Sequence, residues 1–308
     1  MVDTNPVPLT ATAESTPRLM RWASIASMSV ATVLIAAKTV AWLVTDSVGM
    51  LSSLIDSALD LVSSVITFVA IRLALSPADA DHRFGHGKAE ALAGVAQAGF
   101  ITASAGGLLL TVVDRFLHPR PVQAEFVGAV VSALAVVLTL GLMLFQSHVM
   151  RRTSSLAISA DRAHYTTDFV TNIAVGIGIW LSSRLAEPLI DLAVAVGVAL
   201  YLGTSAWSIG RNAIDVLMDR ELPTADRQKI LDIVRRHPGV RNVHDLRTRS
   251  SGLHQFIQLH LVLHPSMSLG RAHVMSDSVE AAIREAFPLA EVMVHIDPYN
   301  DEPPPTAA

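Results

Sequence analysis

The chain has no cysteine among its 308 residues, and only 16% of its residues are charged. The absence of cysteine excludes disulfide bonds and thiolate metal sites. Soluble domains usually carry about a quarter charged residues, so the low charge and the 51% hydrophobic content indicate a membrane protein. The net charge of -4 gives no indication of a nucleic-acid partner.

The N-terminus lacks the basic and apolar regions of a cleaved signal peptide. It is polar and rich in Pro and Thr, and we predict that residues 1–17 form a disordered lead-in. At the other end, the sequence DEPPPTAA predicts a disordered tail over residues 301–308.

Six apolar stretches are each long enough to cross a bilayer, which takes roughly 20 residues. The composition changes abruptly to polar and charged residues beyond Arg211. The sequence therefore predicts a six-helix transmembrane domain over residues 18–210 and a small soluble domain over residues 211–300. The apolar stretches cover approximately residues 22–44, 47–75, 91–113, 124–147, 157–184 and 189–209.

Lysine and arginine are concentrated on one side of the predicted membrane domain. Nine lie on that side and three on the other, and the positive-inside rule assigns the richer side to the cytoplasm. Both termini and the soluble domain are therefore expected in the cytoplasm. The first group is Arg18, Arg21, Arg72, Arg83, Lys88, Arg151, Arg152, Arg162 and Arg211; the second is Arg115, Arg120 and Arg184.

The soluble domain has a mixed α/β pattern. Pro223 opens a helical stretch that Pro238-Gly239 ends, and two strand-like runs, a second helix and a last strand follow. This order suggests an α+β sandwich with the helices on one face of a small sheet. Because side chains alternate along a strand, the apolar ones should meet the helices. The histidines are then left on the uncovered face.

Ionisable residues interrupt two of the apolar stretches. In the second, Asp56 and Asp60 are four residues apart; in the fifth, His164 and Asp168 have the same spacing. Residues i and i+4 lie on one helix face, and acids deep in a membrane are rare and usually functional. Three carboxylates and one imidazole could hold a divalent cation. The alternative is that the acids pair with polar groups such as Lys38 or Asn172.

Two further groups have metal-ligating residue types. Asp79, His82 and His86 lie within eight residues of the loop after the second stretch. This loop is either a second, more exposed metal site or a solvated loop that happens to contain histidine. The soluble domain holds the other group, which could be a metal site or ordinary surface residues. Its members are His244, His260, His273, His295 and Asp297.

Together these motifs resemble the cation diffusion facilitator family, and most closely its bacterial zinc/iron exporters. The resemblance runs from about Arg18 to Pro298. It includes SLIDSALD, PADxDHxFGHGKAEALA, HxxxD and HDLRTR in the same order. It implies a proton-coupled antiporter in the bacterial inner membrane that exports Zn²⁺, with Cd²⁺ or Fe²⁺ as further substrates, by alternating access.

The resemblance also implies roles for the three groups. Asp56, Asp60, His164 and Asp168 fall on the intramembrane transport site, and Asp79, His82 and His86 on a loop site. His244, His260, His273, His295 and Asp297 fall on a binuclear site in a ferredoxin-like domain. That domain helps to hold a homodimer, and Lys88 and Asp219 match a charge pair near the dimer interface.

The residue chemistry is compatible with proton coupling. Metal binding requires a neutral His164 and ionised carboxylates, so binding releases protons and protonation releases metal. One rival hypothesis is a membrane metalloenzyme, but the sequence has no HExxH and no Ser or Cys nucleophile motif. Another is a metal sensor or scaffold with the membrane part as an anchor, although an anchor has no use for acids at mid-membrane.

Overall fold

The computed structural model describes residues 15–45, 48–117, 126–185 and 189–299. The predicted disordered segments, apart from residues 15–17, lie outside these ranges, as does Arg120. The chain divides into two compact units, Met1–Ile214 and Asp215–Ala308. The first is helical and the second is mixed α/β.

The first unit is built from six long helices. Each predicted apolar stretch forms one of them, since a run of that length satisfies its backbone hydrogen bonds internally. Within the described residues, five of these helices are long and apolar enough to cross a membrane. The exception is α5, whose first half carries Asp161, Arg162, His164 and Asp168. The helices are α1 (Ser15–Thr45), α2 (Val48–Ala74), α3 (Ala89–Leu117), α4 (Phe126–Thr153), α5 (Leu156–Leu185) and α6 (Leu189–Leu217).

A buried carboxylate joins the start of α3 to the start of α5. The Glu90 side chain is 2% exposed. It accepts hydrogen bonds from the Ser155 hydroxyl and from the backbone N–H of Ala157 at 3.3 Å. Because the first N–H groups of a helix have no partner within the helix, Glu90 caps α5 and fixes its first turn against α3.

The second unit is a three-stranded sheet with two helices. The sheet has the order β1-β2-β3, in which β2 pairs antiparallel with β1 and parallel with β3. The predicted order of helix, strand, strand, helix and strand is confirmed. The elements are α7 (Thr224–Arg236), β1 (Asn242–Ser251), β2 (His254–Leu263), α8 (Leu269–Ala286) and β3 (Ala290–Pro298).

Alternation along β2 puts every second side chain into the core of this unit, as the pattern predicts. Ile257, Leu259, Leu261 and Leu263 are at most 2% exposed. They belong to one apolar cluster that also includes residues of α7 and α8. The helices therefore cover one face of the sheet, and the opposite face of β2 carries Gln258 and His260.

Replacement of Ile283 by Ala is expected to destabilise the second unit by about 2–5 kcal/mol, because it leaves a cavity in the apolar core. Val274→Ala on the same helix is the matched control, since Ile283 is 0% and Val274 67% exposed. Hydrogen exchange of the β2 amides in the full-length protein measures the effect. Unchanged protection in the Ile283 variant would contradict this account of the core.

Candidate metal centres

The membrane site consists of Asp60 on α2 with His164 and Asp168 on α5. The His164 Nε2 atom lies 3.3 Å from Asp60 Oδ1 and 3.5 Å from Asp168 Oδ2. Ligands about 2.0–2.2 Å from a tetrahedral zinc ion lie about 3.3–3.5 Å from one another. The three side chains are therefore spaced as a metal ion requires, with His164 buried and the two acids partly buried.

Asp56, the fourth residue predicted for this site, is exposed and lies outside the group. It sits one helical turn from Asp60, toward the start of α2. Lys38 on α1 was the alternative partner for these acids. Its Nζ atom donates to the Ser57 hydroxyl at 2.6 Å and to the Ser53 carbonyl at 3.1 Å, both on α2. The ammonium group is thus bound to the helix that carries the acids.

The loop site joins α2 to α3 and consists of Asp79, His82 and His86. Asp79 Oδ1 accepts from the backbone N–H groups of Asp81 and His82 at 3.0 and 2.6 Å. Its Oδ2 lies 3.3 Å from His86 Nε2, and the two imidazole rings are 4.6 Å apart. Gly85, with φ +76°, provides the left-handed turn that brings His86 back to Asp79.

The hydrogen bond from the His82 backbone N–H, with that from Asp81, holds the pKa of the Asp79 carboxyl below its usual range. The carboxylate is therefore ionised at neutral pH, which is the form that binds a cation.

The third candidate site lies on the sheet of the second unit and consists of His244, His260 and Asp297. It is called the tail site below, although it is separate from the terminal residues 301–308. In the sheet register His244 on β1 faces His260 on β2, which in turn faces His295 on β3. Asp297 Oδ2 lies 2.9 Å from His260 Nδ1 and 3.2 Å from His244 Nε2, and its Oδ1 lies 3.3 Å from His295 Nε2. Each of the three strands thus delivers one of these ligands to the face that the helices leave uncovered.

His273 is not brought to the tail site. It lies on α8, largely exposed, with its Nε2 atom 3.6 Å from Asp277 Oδ2 one turn further along. The prediction that it shares the binuclear site is therefore not met within a single copy of this unit, because α8 packs on the opposite face of the sheet from the strand histidines.

Sequence reasoning missed Asp245, which follows His244 at an irregularity in β1. Its φ of +48° lies in the left-handed region, which Asp tolerates better than most residues. Its Oδ2 atom is 3.7 Å from His260 Nε2. A hydrogen bond from the Arg247 guanidinium lowers the pKa of the Asp245 carboxyl. The signal was its place in HDLRTR, directly beside a candidate ligand.

Lys88 and Asp219, which the resemblance predicts to form a charge pair, belong to different units. Within the second unit, Asp219 Oδ1 lies 3.3 Å from Arg249 Nη1, so a guanidinium already shares this carboxylate.

Known proteins match this chain over almost its whole length. The family profile for the cation efflux transmembrane domain matches residues 24–218, and that for the cation efflux protein cytoplasmic domain matches residues 222–299. The cation-efflux pump FieF of Klebsiella pneumoniae is 43% identical over 94% of this chain and 96% of its own length. FieF of Shewanella oneidensis is 44% identical over 92% and 96%.

A solved structure of the zinc transporter CzrB in its zinc form is 29% identical over 28% of this chain and 98% of its own, with a TM-score of 0.26. The apolar helices and the acid-lined site inside them define a membrane transporter for metal cations. The chain belongs to the cation efflux (cation diffusion facilitator) family. It is a cation exporter of the membrane and not an enzyme, so the metalloenzyme hypothesis is set aside.

Asp79 is expected to titrate below about 3.9, the ordinary value for Asp. Its folded-state pKa is lowered, so the stabilisation of the loop is fully present above that ordinary value and is lost as the pH falls through the lowered one. The ¹³C carboxyl shift of Asp79 in the metal-free protein measures the midpoint. A midpoint at or above 3.9 would refute the turn described here.

Replacement of His260 by Ala is expected to lower the amount of Zn²⁺ that the full-length protein retains after dialysis, because two of three ligands cannot hold the ion as tightly. His254→Ala is the control, since His254 begins the same strand and is not part of the cluster. Metal analysis of both variants measures the effect. Equal zinc content in the two would rule out the tail site.

Proposed function

We propose that this exporter carries Zn²⁺ out of the cytoplasm in exchange for protons, with Cd²⁺ and Fe²⁺ as further substrates. The observation that carries the proposal is the membrane site, where Asp60, His164 and Asp168 meet between two membrane helices. One imidazole with carboxylates and no thiolate suits Zn²⁺, while the oxygen-rich ligands also accept Fe²⁺. Asp56 completes the site as the fourth ligand when a cation draws it inward.

Proton exchange follows from the chemistry of these ligands. The cation binds to ionised carboxylates and to a neutral imidazole, so it competes with protons for the same atoms. The contact between His164 Nε2 and Asp60 Oδ1 at 3.3 Å supports this competition, since one proton can hold together the two atoms that the metal would join. Cation loading from the cytoplasm and proton loading from the far side then drive alternating access.

The proposed orientation places both termini in the cytoplasm of a bacterial inner membrane. The Lys/Arg bias supports it, because nine Lys and Arg residues lie on that side of the membrane domain and three on the other. The loop site and the tail site then face the cytoplasm, where Asp79 with His82 and His86 can collect cations before transport.

The proposed assembly is a homodimer held in part by the soluble unit. His273 supports this, since it is exposed and lies away from the tail site of its own copy. In a dimer it can approach a tail site on the second copy and complete a binuclear centre with His244, His260, His295 and Asp297. The Lys88–Asp219 pair near the interface is part of the same proposal.

Replacement of Asp60 by Ala is expected to abolish Zn²⁺ flux, because it removes one of the ligands that gather around His164. The measurement is zinc uptake into proteoliposomes driven by a pH gradient, repeated with Cd²⁺, Fe²⁺ and Mn²⁺ for the wild type. Ser29→Ala on the exposed side of α1 is the control. Normal Zn²⁺ flux in the Asp60 variant would show that the membrane site is wrongly assigned.

A second outcome would contradict only the proton coupling. In that outcome, Zn²⁺ flux persists without a pH gradient and the pH of the lumen does not change during transport, and the membrane site is still supported.

A further inference from the structure

Asp161 is a third acid on α5, three residues before His164. It belongs to none of the three metal groups, and its side chain is 1% exposed. Residues i and i+3 of a helix lie on the same face, so Asp161 points to the same side of α5 as His164. A fully buried carboxylate is costly unless it is hydrogen-bonded, and its contacts therefore indicate what it does.

Three other helices supply hydrogen bonds to this carboxylate. Its Oδ2 atom accepts from Gln146 Nε2 of α4 at 2.6 Å. Its Oδ1 atom accepts from Thr67 Oγ1 of α2 at 3.4 Å and from Gln97 Nε2 of α3 at 3.5 Å. All three donors are at most 1% exposed. One side chain thus ties α5 to α2, α3 and α4 at a single level of the bundle.

Three pairs of polar side chains make contacts between α2 and α5, and one of these pairs belongs to the membrane site. Asp60 meets His164, Ser64 meets the Tyr165 hydroxyl at 2.8 Å, and Thr67 meets Asp161. On α2 these residues are spaced i, i+4 and i+7, which keeps them on one helix face. The Thr67–Asp161 pair therefore lies on the same face of α2 as the contact between Asp60 and His164.

His164 depends on the placement of α5 more than most metal-binding histidines depend on the placement of their helix. Such histidines usually donate their second ring N–H to an oxygen, and that bond fixes the orientation of the ring. The buried Nδ1 atom of His164 has no hydrogen-bond partner among the described residues. The ring is instead packed between aromatic side chains, 6.3 Å from Phe100 and 5.8 Å from Tyr165. The position of the His164 ring therefore depends on the position of α5.

We infer that Asp161 is a positioning residue of the membrane site. It holds α5 through Thr67, Gln97 and Gln146, and so fixes the distance of His164 and Asp168 from Asp60. The inference rests on the proposed function, in which these three residues bind the transported cation. Asp161 itself does not contact the cation. Its removal lets α5 shift against α2, which lengthens the separations that a small ion such as Zn²⁺ requires.

The test compares Asp161→Asn with Glu90→Gln in proteoliposomes, with initial rates measured over a range of Zn²⁺ and Cd²⁺ concentrations. Glu90 is the matched control because it is also a buried carboxylate that ties α5 to α3, but it does so at the helix end. Thr67→Val is the second variant. It removes the donor to Asp161 and the acceptor of the Gln97 Nε2 bond at 3.0 Å, without changing the charge or the side-chain shape. This variant protects the test if Asp161→Asn does not fold.

We expect Asp161→Asn to raise the KM for Zn²⁺ about tenfold, the low end of the loss that follows when a metal ligand is no longer held in its orientation. The KM for the larger Cd²⁺ should rise less, so the preference for Zn²⁺ over Cd²⁺ falls. Thr67→Val should change both constants in the same direction by a smaller factor. Glu90→Gln should lower the amount of folded protein and leave the preference unchanged.

An unaltered preference in both Asp161→Asn and Thr67→Val overturns the inference, as does an equal change in Glu90→Gln. The Asp60→Ala variant separates this failure from that of the proposed function. If Asp60→Ala abolishes flux while the preference stays constant in the Asp161 and Thr67 variants, only the positioning role is lost. If Asp60→Ala transports normally, the membrane site itself is wrong.

Discussion

A carboxylate inside a membrane bundle has to be balanced by the protein, because the surrounding hydrocarbon supplies neither water nor counter-ions. Asp60 and Asp168 meet this constraint with His164 between them, and Lys38 places an ammonium group on the helix that carries Asp60. The same arrangement suits a cation exporter. Carboxylate oxygens and an imidazole nitrogen held at ligand spacing suit a divalent cation, and in the proposed mechanism protons take its place.

The buried polar layer around Asp161 extends this balance along the bundle. Serine, threonine and glutamine side chains of α2, α3 and α4 bond to one another and to Asp161 of α5, and these donors find acceptors that hydrocarbon could not provide. Polar contacts of this kind are specific in register, since a shifted helix leaves buried groups unpaired. They are also exchangeable for water when helices separate. In the proposed alternating-access mechanism, such contacts would hold the ligands accurately and still let the helices move.

The three candidate metal groups differ in how far the sequence predicts them. The loop site is local, because Asp79, His82 and His86 lie within eight residues of one loop. Gly85 permits the turn that brings them together. The tail site needs the sheet, yet strand alternation already places His260 and Asp297 on the uncovered face. His273 could not be placed in this way, since the packing of α8 decides which side of the sheet it occupies. Asp161 was overlooked because its i, i+3 spacing to His164 shows a shared helix face and gives no sign of its partners on three other helices.

The sequence by itself determined that long apolar helices precede a mixed α/β unit, and which residue types are available to a cation. These follow from local physics: hydrophobic length, side-chain periodicity and ligand chemistry act within one element. Only the tertiary structure decided that Asp60 joins His164 while Asp56 stands outside, and that Thr67, Gln97 and Gln146 meet at Asp161. Such choices depend on the register and rotation of one helix against another, which are set by packing between elements that are far apart in the chain.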